Sequence, residues 1–404
     1  MLKIKFKQYS CNNVLVIAEL GTSHNGDIVK AKEMIDAAAC AGADCVKVQI
    51  VFAQEILHPA TGFVPLPQGN TPLFDVFKKL EAGIEFYAGV KTYTESKGLL
   101  FLATPFGEKS AALLKNLKPD FVKVASPELN YVQLLQAVKK MNVPVLLSSG
   151  VSKLQDIERA LEIFLVSDNQ PTPQATRHGC SHLTAPRLAR ETLSVQKVLN
   201  PSATNNKSLC LLHCITAYPA PETEYNLNVL HSLKSIFGVS VGISDHSADP
   251  VLVPVLSVAC GAAVIEKHFC LSNTDKGLDD PIALPPDSFS LMCRSVRYAQ
   301  NLTAQTIIHE LSNERGADII QTVLGDGVKK LAASEKANYD RTNRSIHALN
   351  DIKAGDRLTE KNIAILRTEK ILRPGLPPYL WDTVIGRRAR NFIPSGEGVR
   401  LADI

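Results

Sequence analysis

The sequence predicts a (β/α)8 barrel followed by a small β-rich C-terminal module, and three observations carry that reading. Eight short apolar, β-branched runs recur along the chain: VLVIAEL, DCVKVQI, LLFLATPF, FVKVASPE, VPVLLSSG, LCLLHC, SVGISDH and AAVIEKHF. Amphipathic segments such as IVKAKEMIDAAACAGA and SAALLKNLK lie between them. The runs end in charged or hydroxyl-bearing residues. Apolar strands separated by helical patterns imply parallel pairing in a sheet buried on both faces. Eight such units match a barrel of about 250 residues.

Taken in order, strand one ends at Glu19, strand two at Lys47 and Gln49, and strand three at Thr104. Strand four ends at Lys123, Ser126 and Glu128, and strand five at Ser148. The rhythm then breaks. After a helix-like LQDIERALEIFLV, residues near 166–207 are rich in Pro, Ser, Thr and Asn and read as an inserted loop or helical excursion exposed to solvent. Strand six ends at His213 and Thr216, strand seven at Ser244, Asp245 and His246, and strand eight at Glu266, Lys267 and His268. The barrel is assigned to 1–310 and a polar, partly helical linker to 311–340. In 341–404, RSIHALNDIKAGDRLTEKNIAIL and GRRARNFIPSGEGVRLADI predict short strands, Gly turns and short capped helices, one of them at LTEKN. So small a module buries little core and is expected to lean on the barrel or on another subunit.

Composition bounds the function. The chain has 404 residues, 45% hydrophobic and 21% charged, as expected of a soluble packed protein. A net charge of +4 suits anionic small molecules and calls for neither nucleic acid nor a membrane. Nine cysteines form no CxxC pair and fall mostly in apolar runs, which reads as reduced, buried thiols in a cytoplasmic protein. The opening MLKIKFKQYSCNN lacks the apolar core of a signal peptide, and no run approaches the roughly 18 apolar residues of a membrane span.

A barrel of this kind works at the carboxyl ends of its strands, so polar groups there are informative. Each has an ordinary alternative: a lysine can snorkel, a glutamate can sit in a structural ion pair, a histidine can be a satisfied core residue. Together, Lys47 and Lys123 with Thr104, Ser126, Ser148 and Ser244 form a donor set suited to a phosphate or carboxylate. His246 and His268, on neighbouring strands, could ligate one divalent ion such as Mn2+ or Mg2+, with Glu19 or Glu266 as ligand or support. The loop TDKGLDDPIALPPDSF offers Asp275, Asp279 and Asp280 for substrate hydroxyls or proton transfer.

IAELGTSHNGD, AGADCVKVQ, ATPF, VKVASPELN, LLSSG, LHCITAYPAP, VGISDHS and IEKHF resemble, in order, the strand motifs of the sialic acid synthase family. The tail, from RSIHALNDIKAGDRLTEKNIAILR through LRPGLPP to VIGRRARNFIPSGEGV, resembles that family's antifreeze-like (SAF, β-clip) domain. The resemblance implies condensation of phosphoenolpyruvate with N-acetylmannosamine or a related amino sugar, a divalent metal, and a domain-swapped homodimer. It implies phosphoenolpyruvate contacts for Lys47, Thr104, Lys123, Ser126, Ser148 and Ser244, and metal ligation by His246 and His268. Glu19 and Glu266 match acidic residues near the metal, and Asp279 a carboxylate that holds sugar hydroxyls. Gln49, Glu128, Thr216 and Tyr218 fall on the substrate side. Arg373 in RPG resembles an arginine inserted into the partner's active site, and Arg367 is a second candidate. The alternatives are a synthase of the same barrel type acting on a phosphorylated sugar, against which the tail argues, a Schiff-base aldolase acting through Lys123 or Lys47, and a non-catalytic sugar-binding protein that keeps the barrel.

Overall fold

The computed structural model describes residues 1–66, 69–165, 208–275 and 277–404. All eight predicted runs are strands: β1 (Leu15–Gly21), β2 (Cys45–Ile50), β3 (Leu100–Pro105), β4 (Val122–Val124), β5 (Val145–Ser148), β6 (Leu209–Cys214), β7 (Ser240–Asp245) and β8 (Val264–His268). They form one parallel sheet in the order β3-β2-β1-β8-β7-β6-β5-β4. β3 and β4 lie alongside each other and bring the sheet round into a nearly closed barrel. The predicted insertion at 166–207 lies outside the described residues.

The side-chain period of two sorts each strand into two faces. The outward phase, including Val16, Ala18, Val46 and Val48, packs with helical residues such as Ala31, Met34 and Ile35 in one continuous core. The helix bearing them, Ile28–Cys40, is capped at its start by Asp27, whose Oδ1 accepts from Val29 N at 2.8 Å. Along the inward phase, Leu15, Ile17, Cys45, Leu102, Phe121, Leu146, Cys210, Leu212 and Val264 fill the barrel interior. An antiparallel hairpin of Leu2–Ile4 and Lys7–Tyr9 buries Leu2, Ile4 and Tyr9 in the same cluster and plugs one end. One pleat further along, the same phase presents Glu19, Lys47, Thr104, Lys123, Ser148, Ser244, Glu266 and His268, all buried. The plugged end is apolar and the opposite end is chemical.

Helices Ala304–Arg315 and Ala317–Leu324 follow the barrel, so helix runs through residue 310 where the linker was expected to begin. The module is built on the antiparallel pair β9 (Arg344–Ala348) and β10 (Ile363–Arg367). LTEKN does not form the predicted helix. Thr359 N donates to Asn362 Oδ1 at 2.7 Å, closing a turn before β10 in which the Asn side chain takes the place of a helical acceptor. The module rests on the barrel of its own chain: Arg344 N donates to Asn130 Oδ1, Asn130 Nδ2 to Arg344 O, and Thr61 Oγ1 to Thr368 O. Among the described residues, no helix is long and apolar enough to cross a membrane, and six of the eight cysteines are buried, all of them free.

Candidate active site

The centre of the site is a chain of buried charges across β1, β2, β4 and β8. Lys47 Nζ lies 3.0 Å from Glu19 Oε2 and 3.0 Å from Glu266 Oε1, and Lys123 Nζ lies 3.2 Å from the same Glu266 oxygen. Ser244 Oγ donates to that oxygen at 2.9 Å, and Gln49 Nε2 donates to Glu19 Oε1 at 2.7 Å. Strand register explains the meeting: Glu19 pairs with Lys47 and with His268, and Ser244 with Glu266.

Burial opposes every one of these charges. At Glu266 it raises the pKa, but Lys123 and Lys47 outweigh it and hold the carboxyl well below the usual range. At Lys47 it lowers the pKa, but Glu19 and Glu266 outweigh it and the ammonium ends above its ordinary value. At Lys123 burial prevails and the pKa is lowered.

Beside the charges lies a cradle of hydroxyls. Gly150 N donates to Ser126 Oγ at 3.0 Å. A Cβ on Gly150 would collide with Thr216 Oγ1 and lie 2.9 Å from Ser126 Oγ, so glycine is required for loops five and six to meet. Thr104 Oγ1, Ser148 Oγ, Thr216 Oγ1 and Glu266 Oε2 are buried and accept or donate no hydrogen bond. Buried polar atoms are seldom left so, and several orphans around two lysines describe a place where a ligand's oxygens belong.

The two histidines face each other with ring centroids 5.4 Å apart. His246 Nδ1 lies 2.7 Å from the Ile215 carbonyl and therefore carries the proton, which in the neutral ring leaves Nε2 as a free lone pair. Burial and then His246 push the His268 pKa down to about 3, so its ring is neutral. At His246 burial lowers the pKa, but Cys214 and the Ile215 carbonyl outweigh it and leave it raised, so of the two rings only His268 is held neutral. Among the described residues, no group of three or more His, Cys, Asp or Glu side chains is arranged to hold an ion, so a metal here would take two imidazoles and leave its other positions open. Tyr218 packs its ring 4.3 Å from that of His246. Asp279 Oδ2 sits 3.6 Å from His268 Nδ1, and burial raises its pKa.

Several candidates are placed otherwise than the sequence suggested. Glu128 is clamped through Oε1 by two module arginines, Arg344 through Nε at 3.1 Å and Arg367 through Nη2 at 2.7 Å, while its Oε2 stays buried without a hydrogen-bond partner. Arg373 stays within the module, donating to Gly398 O at 3.0 Å and to Asp403 Oδ2 at 3.2 Å. Asp275 pairs with Lys30 at 3.0 Å, and Asp280 accepts from Gly277 N at 2.6 Å. His213 meets the Tyr225 carbonyl at 2.6 Å, and Lys267 is spent on Asp245 and Ser247. Sequence reasoning missed Tyr225, whose hydroxyl accepts from His246 N at 2.8 Å and donates to Asp245 Oδ1 at 2.6 Å. It lies on a loop outside any strand run, and no local signal marks it. A groove of ≈ 400 Å³ between the barrel and the module is lined by none of the lysines or imidazoles of the site.

A nearly closed barrel with these groups gathered at one end is an enzyme, of the transferase-type synthase class. The NeuB family model matches residues 34–307 and the SAF domain model residues 343–404, and the chain belongs to the NeuB family. It is 29% identical to the N,N'-diacetyllegionaminic acid synthase of Campylobacter jejuni over 390 residues, 96% of this chain and 98% of that protein. It is 28% identical to a pseudaminic acid synthase of Campylobacter jejuni over 397 residues, 96% of each. The crystal structure of a spore coat polysaccharide biosynthesis protein from Bacillus subtilis matches with a TM-score of 0.71 and 29% identity, over 97% of this chain and 95% of that one.

Proposed function

We propose that the chain condenses phosphoenolpyruvate with an N-acetylated amino sugar, N-acetylmannosamine or a 2,4-diacetamido-6-deoxy hexose, to give a nonulosonic acid and phosphate. The observation that carries this reading is the set of orphaned buried hydroxyls, Thr104, Ser148 and Thr216, beside Lys47 and Lys123. Two cations and several unfilled hydrogen-bonding groups suit a small ligand bearing both a phosphate and a carboxylate.

In the reaction, C3 of phosphoenolpyruvate adds to the aldehyde carbon of the open-chain sugar, water adds at C2, and phosphate leaves by C–O cleavage. Lys47 and Lys123 hold the phosphate and carboxylate charges, with Ser126, Ser148, Thr216 and Thr104 supplying hydroxyls. Glu19, fixed by Gln49 at 2.7 Å, moves the proton of the attacking water. Asp279 and Tyr218 line the side on which the sugar enters. A divalent ion, Mn2+ or Mg2+, would be held by His246 and His268 and would supply Lewis-acid polarisation of the aldehyde.

The test is phosphate release by purified protein from phosphoenolpyruvate, with a panel of amino sugars, phosphorylated and not, with and without Mn2+. Release with one unphosphorylated sugar, its loss on chelation and in His246→Ala, is the expected outcome; release that ignores chelation removes the metal from the reading. The lowered Lys123 pKa favours a second reading, a Schiff-base aldolase. Covalent trapping of a keto acid on Lys123 by borohydride would support it instead.

A further inference from the structure

The stretch between barrel and module lies across the loops that follow β5 and β6, and five side-chain hydrogen bonds run from it, or from the first residue of the module, to their backbone. Glu335 Oε1 accepts from Val151 N at 2.7 Å and from Thr216 N at 2.8 Å. Lys329 Nζ donates to Ser149 O at 2.9 Å, Asn338 Nδ2 to Thr216 O at 3.1 Å, and Asn343 Nδ2 to Val151 O at 3.0 Å. These loops carry the hydroxyl cradle. Ser148 precedes Ser149, Gly150 N donates to Ser126 Oγ, and Thr216 bears an orphaned Oγ1.

Val151 supplies an independent sign that this arrangement is imposed from outside. Its φ is +42°, a left-handed conformation that is an outlier for a β-branched residue. Such strain persists only where surrounding contacts over-determine it, and here both its N–H and its C=O are tied to the crossing segment. Glu335 bridges the two loops through one carboxylate oxygen and is itself 1% exposed. A few residues on, Arg344 holds Glu128, which lies two positions beyond Ser126, so the cradle is tied to the same segment at both ends.

We propose that Glu335 is a positioning residue for the anion cradle: by accepting from Val151 N and Thr216 N together, it sets the separation at which the hydroxyls of Ser126, Ser148 and Thr216 meet one ligand. This deepens the reading of the cradle as the phosphoenolpyruvate site and rests on it. Glu335 acts through the backbone and touches no substrate.

The test is calorimetric binding of phosphoenolpyruvate to the full-length protein, which needs no knowledge of the sugar. Glu335→Ala is expected to weaken binding by on the order of tenfold, the size of effect seen when a group that orients a ligand-binding residue is lost. Glu335→Gln keeps the accepting oxygen with a weaker neutral bond and is expected to stay within about threefold of wild type. Asn338→Ala, which removes one bond at Thr216, is expected to lie between wild type and Glu335→Ala. A folded Glu335→Ala protein with wild-type affinity overturns the proposal, as does a Gln variant as weak as the Ala one. Where Glu335→Ala does not fold, unchanged affinity in Asn338→Ala overturns it. A wild-type protein that binds no phosphoenolpyruvate overturns the reading of the cradle itself.

Discussion

Two buried lysine clusters share β7 and β8 and face opposite sides of them. On the outward phase, Lys267 is saturated: Asp245 Oδ2 lies at 2.7 Å, Ser247 O at 2.5 Å and Ser247 Oγ at 3.1 Å, and Tyr225 completes Asp245. On the inward phase, Lys47 and Lys123 share Glu266, yet Glu266 Oε2 and the neighbouring hydroxyls of Thr104, Ser148 and Thr216 have no hydrogen-bond partner. Burial and charge are common to both clusters. Unfilled hydrogen-bonding capacity belongs to one, and that, more than burial of charge, separates a site that receives a ligand from one that holds a barrel together.

The sharpest way to break this comparison is to remove one lysine from each side. Lys123→Met is expected to cut phosphoenolpyruvate-dependent phosphate release by about 10²–10³-fold, the usual effect of deleting a group that stabilises developing charge, while the chain stays folded. Lys267→Met is expected to do the reverse, stranding Asp245 in the interior and costing about 3–5 kcal/mol in urea unfolding, with activity per folded molecule largely kept. Equal losses of activity from the two would erase the distinction.

Acid sharpens it further. Burial pushes His213 down to about 3, and His24 and His347 down to about 4. As pH falls below their ordinary 6.5, the unfolded chain takes up these protons before the folded one, so stability declines from pH 6.5 towards about 4. Glu266, depressed by its lysines, contributes stability that is complete above its ordinary 4.5 and is lost as pH falls below it. Urea midpoints measured against pH are expected to fall throughout this range. His347→Gln should flatten the upper part of the decline and Glu266→Gln only the part below pH 4.5.

The smallest expected effect concerns the module. Arg367→Lys replaces the Nε and Nη2 bonds to Glu128, 3.0 and 2.7 Å long, with one point charge. A loss of about 1.5 kcal/mol is expected, roughly one hydrogen bond to a charged group, read by calorimetry.

Much of this was legible in the sequence because it is set locally. Strand identity follows from β-branched runs, and the alternation that buries Leu15 and Ile17 places Glu19 on the same interior face. Lys47, Lys123, Ser148, Ser244, Glu266 and His268 were found as strand tips for the same reason. Glu128 was found too, but not its fate, because Arg344 and Arg367 reach it from 216 and 239 positions away. What holds Arg373 within the module, Gly398 O and Asp403 Oδ2, is likewise not legible in the sequence, because these partners meet it only once the module folds. The sequence by itself thus determined the barrel, the interior face of each strand and the chemical types at its tips, since these depend on neighbours one or two residues apart. Tertiary structure alone decided which of those groups keep a free valence, how the module lies, and that Glu335 spans two loops, because each depends on chain segments brought together only when the core closes.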